Sequence, residues 1–167
     1  MNLDACIRDI PDFPRPGILF KDITPLLQDP EAFQLAIDTM ATNLEWVDVI
    51  VWLDARWFLF ASALAYKLKK PLVIVRKSWK LPFKKIGIDY GLEYGKSSFE
   101  LNIDAFESGK QVAIIDDLLA TGGSAQAAIS LVKQLWWEVH SCHFVIELEW
   151  LWGREKLDWE IFSLLKY

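Results

Sequence analysis

The sequence predicts an α/β fold: a central, mostly parallel sheet flanked by helices, with a small N-terminal hood and a flexible flap. Three observations predict it. Residues 47–53 and 112–115 are short, predominantly apolar and rich in β-branched side chains, as strands covered on both faces are. Helix-like segments separate the strand-like ones, and that alternation implies parallel pairing through right-handed crossovers. Residues 76–110 break the alternation: Pro82, Gly87, Gly91, Gly95 and Gly109 punctuate them.

Each element follows in order. Asp29-Pro30-Glu31 reads as an N-cap, a first-turn proline and an acid at the positive end of a helix. That helix runs to about Asn43, with Phe33, Ile37 and Met40 on one face. Residues 47–53 form a buried strand, and 57–69 suit a helix that stops before Pro71. Residues 72–75 form the next strand. The alternating stretches 86–94 and 99–103 read as antiparallel strands of a flap spanning about 78–103. A strong strand at 112–115 leads to a helix at 124–135, with Ala127, Ala128, Leu131 and Leu135 available for packing. A strand at 139–146, the stretch 154–157 and an apolar run at 161–165 complete the chain. At 167 residues, one domain is expected, its hood covering about 1–30.

Composition excludes several classes. With 53% hydrophobic and 25% charged residues, the chain is globular in character. No apolar run approaches the roughly 20 residues of a membrane helix, and the N-terminus has no basic start before an apolar core. The expectation is a cytoplasmic protein without a membrane partner. The 18 basic and 23 acidic residues leave a net charge of −5, which disfavours nucleic acid as a partner. Cys6 and Cys142 are expected to be buried thiols in a reducing compartment. His140 and His143 fall on opposite faces of one strand, so they read as structural residues rather than metal ligands. Asp104 and Glu107 precede Gly109 in a turn and should face solvent.

In parallel sheets of this kind ligands bind beyond the carboxyl ends of the strands. The loops there are 54–57, 77–82 and 116–123. The last is the most informative: a buried strand ends in Asp116 and Asp117, a small-residue turn follows, and a helix begins. Thr121, Gly122, Gly123 and Ser124 would present backbone N–H groups at the positive helix end, which suits a phosphate. Two acids beside a phosphate site repel the phosphate, so the ligand should also carry hydroxyls for them to accept. A sugar phosphate meets both requirements.

Residues 112–124, VAIIDDLLATGGS, resemble the phosphoribosyl-pyrophosphate (PRPP) binding motif of the type I phosphoribosyltransferases. Residues 12–25 (DFPRPGILFKDITP), 53–56, Arg76-Lys77 with 80–82, 90–95 (YGLEYG) and 153–157 (GREKL) extend the resemblance, in family order, to the adenine branch. The resemblance implies the type I phosphoribosyltransferase fold and the conversion of adenine and PRPP to AMP and pyrophosphate, with Mg²⁺ carried by PRPP. It implies that Ala120, Thr121, Gly122, Gly123 and Ser124 hold the 5′-phosphate, and that Asp116 and Asp117 face the ribose hydroxyls. Carboxylates there would stabilise the developing oxocarbenium centre. In the hypoxanthine–guanine branch the position of Ala120 resembles an Asp that serves the purine; here Glu93 matches the residue with that duty. Tyr94 matches a flap residue that closes over the site. Asp54, Arg56, Arg76, Lys77 and Lys80 are the implied pyrophosphate residues, with Lys84 and Lys85 left in solvent. Backbone groups at Leu19 and Lys21 would read the purine edge, with Phe20 and Leu119 as walls; Phe13 and Phe20 could equally be core. A homodimer is implied, with apolar residues near 58–60 suited to its interface. A catalytically impaired variant, a non-catalytic PRPP-binding relative and a transferase for another base share the same scaffold.

One feature departs from the family pattern. The chain has 9 Trp and only 8 Gly, where average usage of about 7% would give roughly 12 Gly. Trp52, Trp57, Trp79, one of Trp136 and Trp137, and Trp159 stand at or near positions where the family carries glycine. Bulk at Trp52 and Trp57 is expected to weaken pyrophosphate and PRPP binding, because glycine serves where a ligand approaches the backbone.

Overall fold

The computed structural model describes residues 1–54, 59–92 and 95–167. It divides into two compact units, Met1–Thr39 and Met40–Tyr167. In the first, a 3₁₀ turn at Leu3–Cys6 precedes an antiparallel pair, β1 (Arg8–Pro11) and β2 (Leu19–Asp22). Its register sets Asp9 opposite Lys21, and their side chains pair at 2.7 Å. The connecting turn uses Gly17 at φ +85°, and Asp12 Oδ1 accepts from the Gly17 N–H at 2.7 Å. Asp22 Oδ1 then accepts from both the N–H and the hydroxyl of Thr24 at the start of α1 (Thr24–Gln28). In α2 (Pro30–Ala41), Asp29 caps as expected, accepting from the N–H groups of Glu31 and Ala32 at 2.9 and 3.0 Å. Ala32, Ala36, Ile37 and Met40 form its buried stripe.

The second unit runs β3 (Val49–Leu53), α3 (Leu59–Leu68), β4 (Leu72–Lys77), β5 (Lys85–Leu92), β6 (Gly95–Asn102), β7 (Gln111–Leu119), α4 (Gly123–Gln134), β8 (Glu138–Glu147) and β9 (Glu160–Lys166). Its seven-stranded sheet has the order β5-β6-β4-β3-β7-β8-β9. From β4 to β9 every pairing is parallel; the β5–β6 hairpin adds an antiparallel edge. All five residues of β3 are buried, as a central parallel strand requires. Val49, Val51 and Leu53 of β3 share a core with Val112 and Ile114 of β7 and with Ala125, Ala128, Leu131 and Val132 of α4. Successive strand side chains alternate faces, which puts Ile50 and Trp52 on the other side of the sheet.

Several boundaries differ from expectation for identifiable reasons. The strand expected at 112–115 continues to Leu119, because β8 runs alongside and pairs as far as Leu119 with Glu147. A parallel neighbour that satisfies the backbone outweighs the turn preference of two aspartates. The apolar run at 161–165 is β9, paired in parallel to β8. Phe60 is buried at 1% exposure, so it does not supply the exposed interface residue expected near 58–60; Phe58 lies outside the described residues. Cys142 is buried as expected, whereas Cys6 is only half-buried. Asp104 and Glu107 face solvent. His143 is buried, with Nε2 3.0 Å from the Ser141 hydroxyl and its ring stacked on Phe162. Among the described residues no group of three His, Cys, Asp or Glu side chains could hold a metal ion.

Candidate active site

The carboxyl ends of β4, β3 and β7 lie side by side, with β3 central. The chain places β4 on one side of β3 and β7 on the other, so the crevice at this edge is the topological switch point where ligands bind. β7 delivers Asp116 and Asp117 to it. Asp116 is buried at 5% exposure, and its Oδ1 accepts from the Asp117 N–H at 2.9 Å. Burial pushes the Asp116 carboxyl well above the usual carboxylate range; the neighbouring Asp117 adds to the shift and the charge of Lys77 opposes it. Asp117 itself is half-buried.

After β7 the chain turns through Ala120–Gly122 into α4. Gly122 is the helix N-cap at φ +77°, a left-handed conformation that glycine adopts without strain. Its carbonyl accepts the first helical bond, from the Gln126 N–H at 3.0 Å. No acidic side chain occupies the first turn of α4, so the positive helix end is uncompensated. Ala120, Thr121, Gly122, Gly123 and Ser124 line a small concavity of about 130 Å³ together with Leu118, Leu119 and Phe144. The first N–H groups of a helix have no partner within it, which makes such a helix start suited to an anion. Leu119 is 1% exposed and part of the core, while Leu118 beside it is exposed.

A second cluster sits at the ends of β3 and β4. Asp54 is 9% exposed. Its Oδ2 accepts from Arg76 Nε at 3.0 Å, from the Lys77 N–H at 3.0 Å and from Lys80 Nζ at 3.1 Å. Burial alone would raise its carboxyl, but the Lys77 N–H, Arg76 and Lys80 outweigh burial and hold it below the usual range. Asp54 therefore gathers Arg76, Lys77 and Lys80 around one carboxylate oxygen. Lys77 closes β4, and its charge acts on the Asp116 carboxyl, which links the two clusters. Arg56, the other expected pyrophosphate ligand, lies outside the described residues, as do Glu93 and Tyr94.

The β5–β6 hairpin is the expected flap element. It pairs with β4 through Arg76 opposite Glu100, and Tyr90 stacks on Phe99 at 4.6 Å. In the first unit, Leu19 is 44% exposed, Phe20 is half-buried and meets Phe13 edge-to-face at 5.1 Å, and Lys21 pairs with Asp9. Phe13 is 42% exposed, so this aromatic pair is not a closed core.

Residues 26–165 match the model of the phosphoribosyl transferase domain. An adenine phosphoribosyltransferase of Mycoplasma mobile is 50% identical over 166 residues, covering 99% of this chain and 97% of its own. The crystal structure of the adenine phosphoribosyltransferase of Thermoanaerobacter pseudethanolicus matches with a TM-score of 0.94 at 48% identity, over 99% of this chain and 98% of that one. The chain belongs to the adenine phosphoribosyltransferase family. The Saccharomyces cerevisiae member, solved with adenine and an imino-altritol bisphosphate, gives a TM-score of 0.94 at 42% identity, over 98% of this chain and 96% of that one.

Against that family background the tryptophans separate into groups. Trp79 and Trp136 stand at φ +70° and +61°, and so does Trp152 at +54°, which the sequence comparison with the family had not singled out. Trp52 and Trp137 are instead fully buried. Trp159 packs partly against the core with the Lys133 ammonium 4.3 Å from its ring. Trp57 lies outside the described residues. Sequence reasoning also missed Gly153, Arg154 and Glu147 as neighbours of the phosphate loop. The GREKL stretch was their one visible signal.

Proposed function

We propose that this chain transfers the phosphoribosyl group of PRPP to adenine, yielding AMP and pyrophosphate as a step of purine salvage. One observation supports it above the rest: buried Asp116 and half-buried Asp117 stand just ahead of a glycine-capped helix start. That arrangement suits a ligand with a phosphate at one end and ribose hydroxyls beside it. In the reaction the bond from C1′ to the pyrophosphate oxygen breaks, and its electron pair leaves with pyrophosphate. A bond from the purine nitrogen to C1′ forms, and the base loses a proton; in this reading Glu93 receives it. As C1′ becomes cationic, the cost of charge on the Asp116–Asp117 pair falls. Their stabilisation is therefore greatest in the transition state, where it accelerates the step.

Arg76, Lys77 and Lys80 are the described cations that would hold the diphosphate, with Asp54 fixing two of them. Leu19, Phe20 and Lys21 would recognise the purine. For a base wall the exposed Leu118 suits the role better than the core residue Leu119. Two adjacent carboxylates fit Mg²⁺ that arrives on PRPP, since this ion usually takes one or two carboxylates plus phosphate oxygens. When bound it neutralises charge on the diphosphate. The proposal extends to a cytoplasmic homodimer; Leu59 and Tyr66, 46% and 89% exposed on α3, are apolar surface in its favour.

The test is conversion of labelled adenine to AMP, dependent on PRPP, in the unsubstituted chain and in Asp116→Asn and Asp117→Asn. Removing one preorganised electrostatic group should lower kcat by roughly 10²–10³, with ribose 5-phosphate still bound through the loop. Variants that keep turnover within about twofold would remove the acids from the mechanism.

A further inference from the structure

Gly153 opens the 3₁₀ turn Gly153–Lys156 and is buried. Its backbone lies directly against the phosphate loop. A Cβ at Gly153 would overlap the Ala120 carbonyl oxygen and come within 2.9 Å of the Gly122 nitrogen. In the other direction, a Cβ at Gly122 would stand 2.6 Å from the Gly153 carbonyl oxygen. Two backbones are thus in contact with no side chain between them, on the loop that lines the small concavity.

The segment that carries Gly153 is pinned on both sides. Before it, the Leu148 N–H donates to the Leu119 carbonyl at 2.9 Å, joining the end of β8 to the end of β7. After it, Arg154 forms a two-pronged pair with Glu147: Nε to Oε1 at 2.8 Å and Nη2 to Oε2 at 2.6 Å. Arg154 Nη1 also donates to the Ile161 carbonyl of β9 at 3.0 Å. Glu147 is only 3% exposed, and the planar fork of an arginine fixes direction as well as distance. Leu157 closes the segment inside the core.

We propose that Glu147, Arg154 and Gly153 form a clamp that sets the position of the 5′-phosphate loop. The salt-bridged pair acts through Gly153, whose bare backbone is the floor on which Ala120–Gly122 rest. None of the three touches the reacting atoms; they are positioning residues. The inference rests on the proposed role of the loop as a phosphate holder. It goes beyond that role in naming what keeps the N–H groups aimed.

The experiment uses calorimetric titration of the unsubstituted chain, Gly153→Ala and Arg154→Lys with two ligands, ribose 5-phosphate and pyrophosphate. Gly153→Ala must displace the loop; Arg154→Lys keeps the charge but loses the fork. The expected result is a ribose 5-phosphate dissociation constant raised about tenfold or more, with pyrophosphate affinity within about twofold. With PRPP and adenine, KM for PRPP should rise while KM for adenine stays. If Gly153→Ala does not fold, Arg154→Lys decides. Unchanged ribose 5-phosphate affinity, or equal loss for both ligands, overturns the clamp. A chain that binds ribose 5-phosphate but makes no AMP overturns the proposed reaction and leaves the clamp to be judged by the same titration. No ribose 5-phosphate binding by the unsubstituted chain overturns the phosphate assignment and the clamp together.

Discussion

Trp79, Trp136 and Trp152 hold left-handed backbone, where an L side chain costs about 1–2 kcal/mol and glycine almost nothing. They are 93%, 80% and 66% exposed, so the indoles recover little by burial. Trp136 is the clearest case. It follows the end of α4, its N–H donates to the Lys133 carbonyl at 3.0 Å and its carbonyl accepts from Gly109, a helix-ending turn that prefers glycine. Glycine loses about 0.5–1 kcal/mol through its freer unfolded chain, so the net gain from Trp136→Gly should be about 1 kcal/mol, or roughly 2–4 °C in Tm. Trp79→Gly should gain less, because Lys85 lies 5.9 Å over its ring. Trp52→Gly should do the opposite: with 0% exposure it would leave a cavity costing roughly 3–5 kcal/mol. Thermal unfolding of the three variants checks this, and a lower Tm for Trp136→Gly would contradict it. The shortage of glycine was visible in the composition, but which tryptophans pay for it depends on φ, which composition does not contain.

At the scale of elements, β8 and β9 show what local pattern can and cannot reveal. The strand at 139–146 and the apolar run at 161–165 were legible in the sequence. The parallel pairing of the second, and the burial of Glu147 at the end of the first, depend on neighbours distant in sequence. The same pairing extends β7 through Asp116 and Asp117, although both residues were legible as site acids. It also encloses His143, which burial chiefly, with some help from His140, lowers from 6.5 to about 4. Above pH 6.5 this histidine is neutral folded and unfolded, so it has no effect on the balance. Below that, the unfolded chain takes up a proton that the folded chain refuses, and stability falls until about pH 4. The loss is on the order of 3 kcal/mol. Denaturant unfolding of the chain and of His143→Phe across this range should show a slope that the variant loses. Equal slopes would place the titration elsewhere.

For the molecule as a whole, the family and the phosphate loop were legible because both rest on contiguous residues: a buried strand, two acids, a small turn and a helix start. The Asp54 hub was legible only as a set of charges. The convergence of Arg76, Lys77 and Lys80 on one of its oxygens spans 22 to 26 residues of sequence and has no local pattern. The Gly122–Gly153 contact was not legible, since two glycines thirty-one residues apart carry no pattern of their own. What these pieces assemble at the carboxyl edge of the sheet is a glycine-capped helix start, a carboxylate pair and a cation cluster. The most direct measurement is pyrophosphate release from PRPP with adenine, hypoxanthine, guanine or uracil as the acceptor base. Release is expected with adenine, accompanied by equimolar AMP, and little with the other three. Release with another base in preference to adenine, or none with any base, would contradict the proposed reaction.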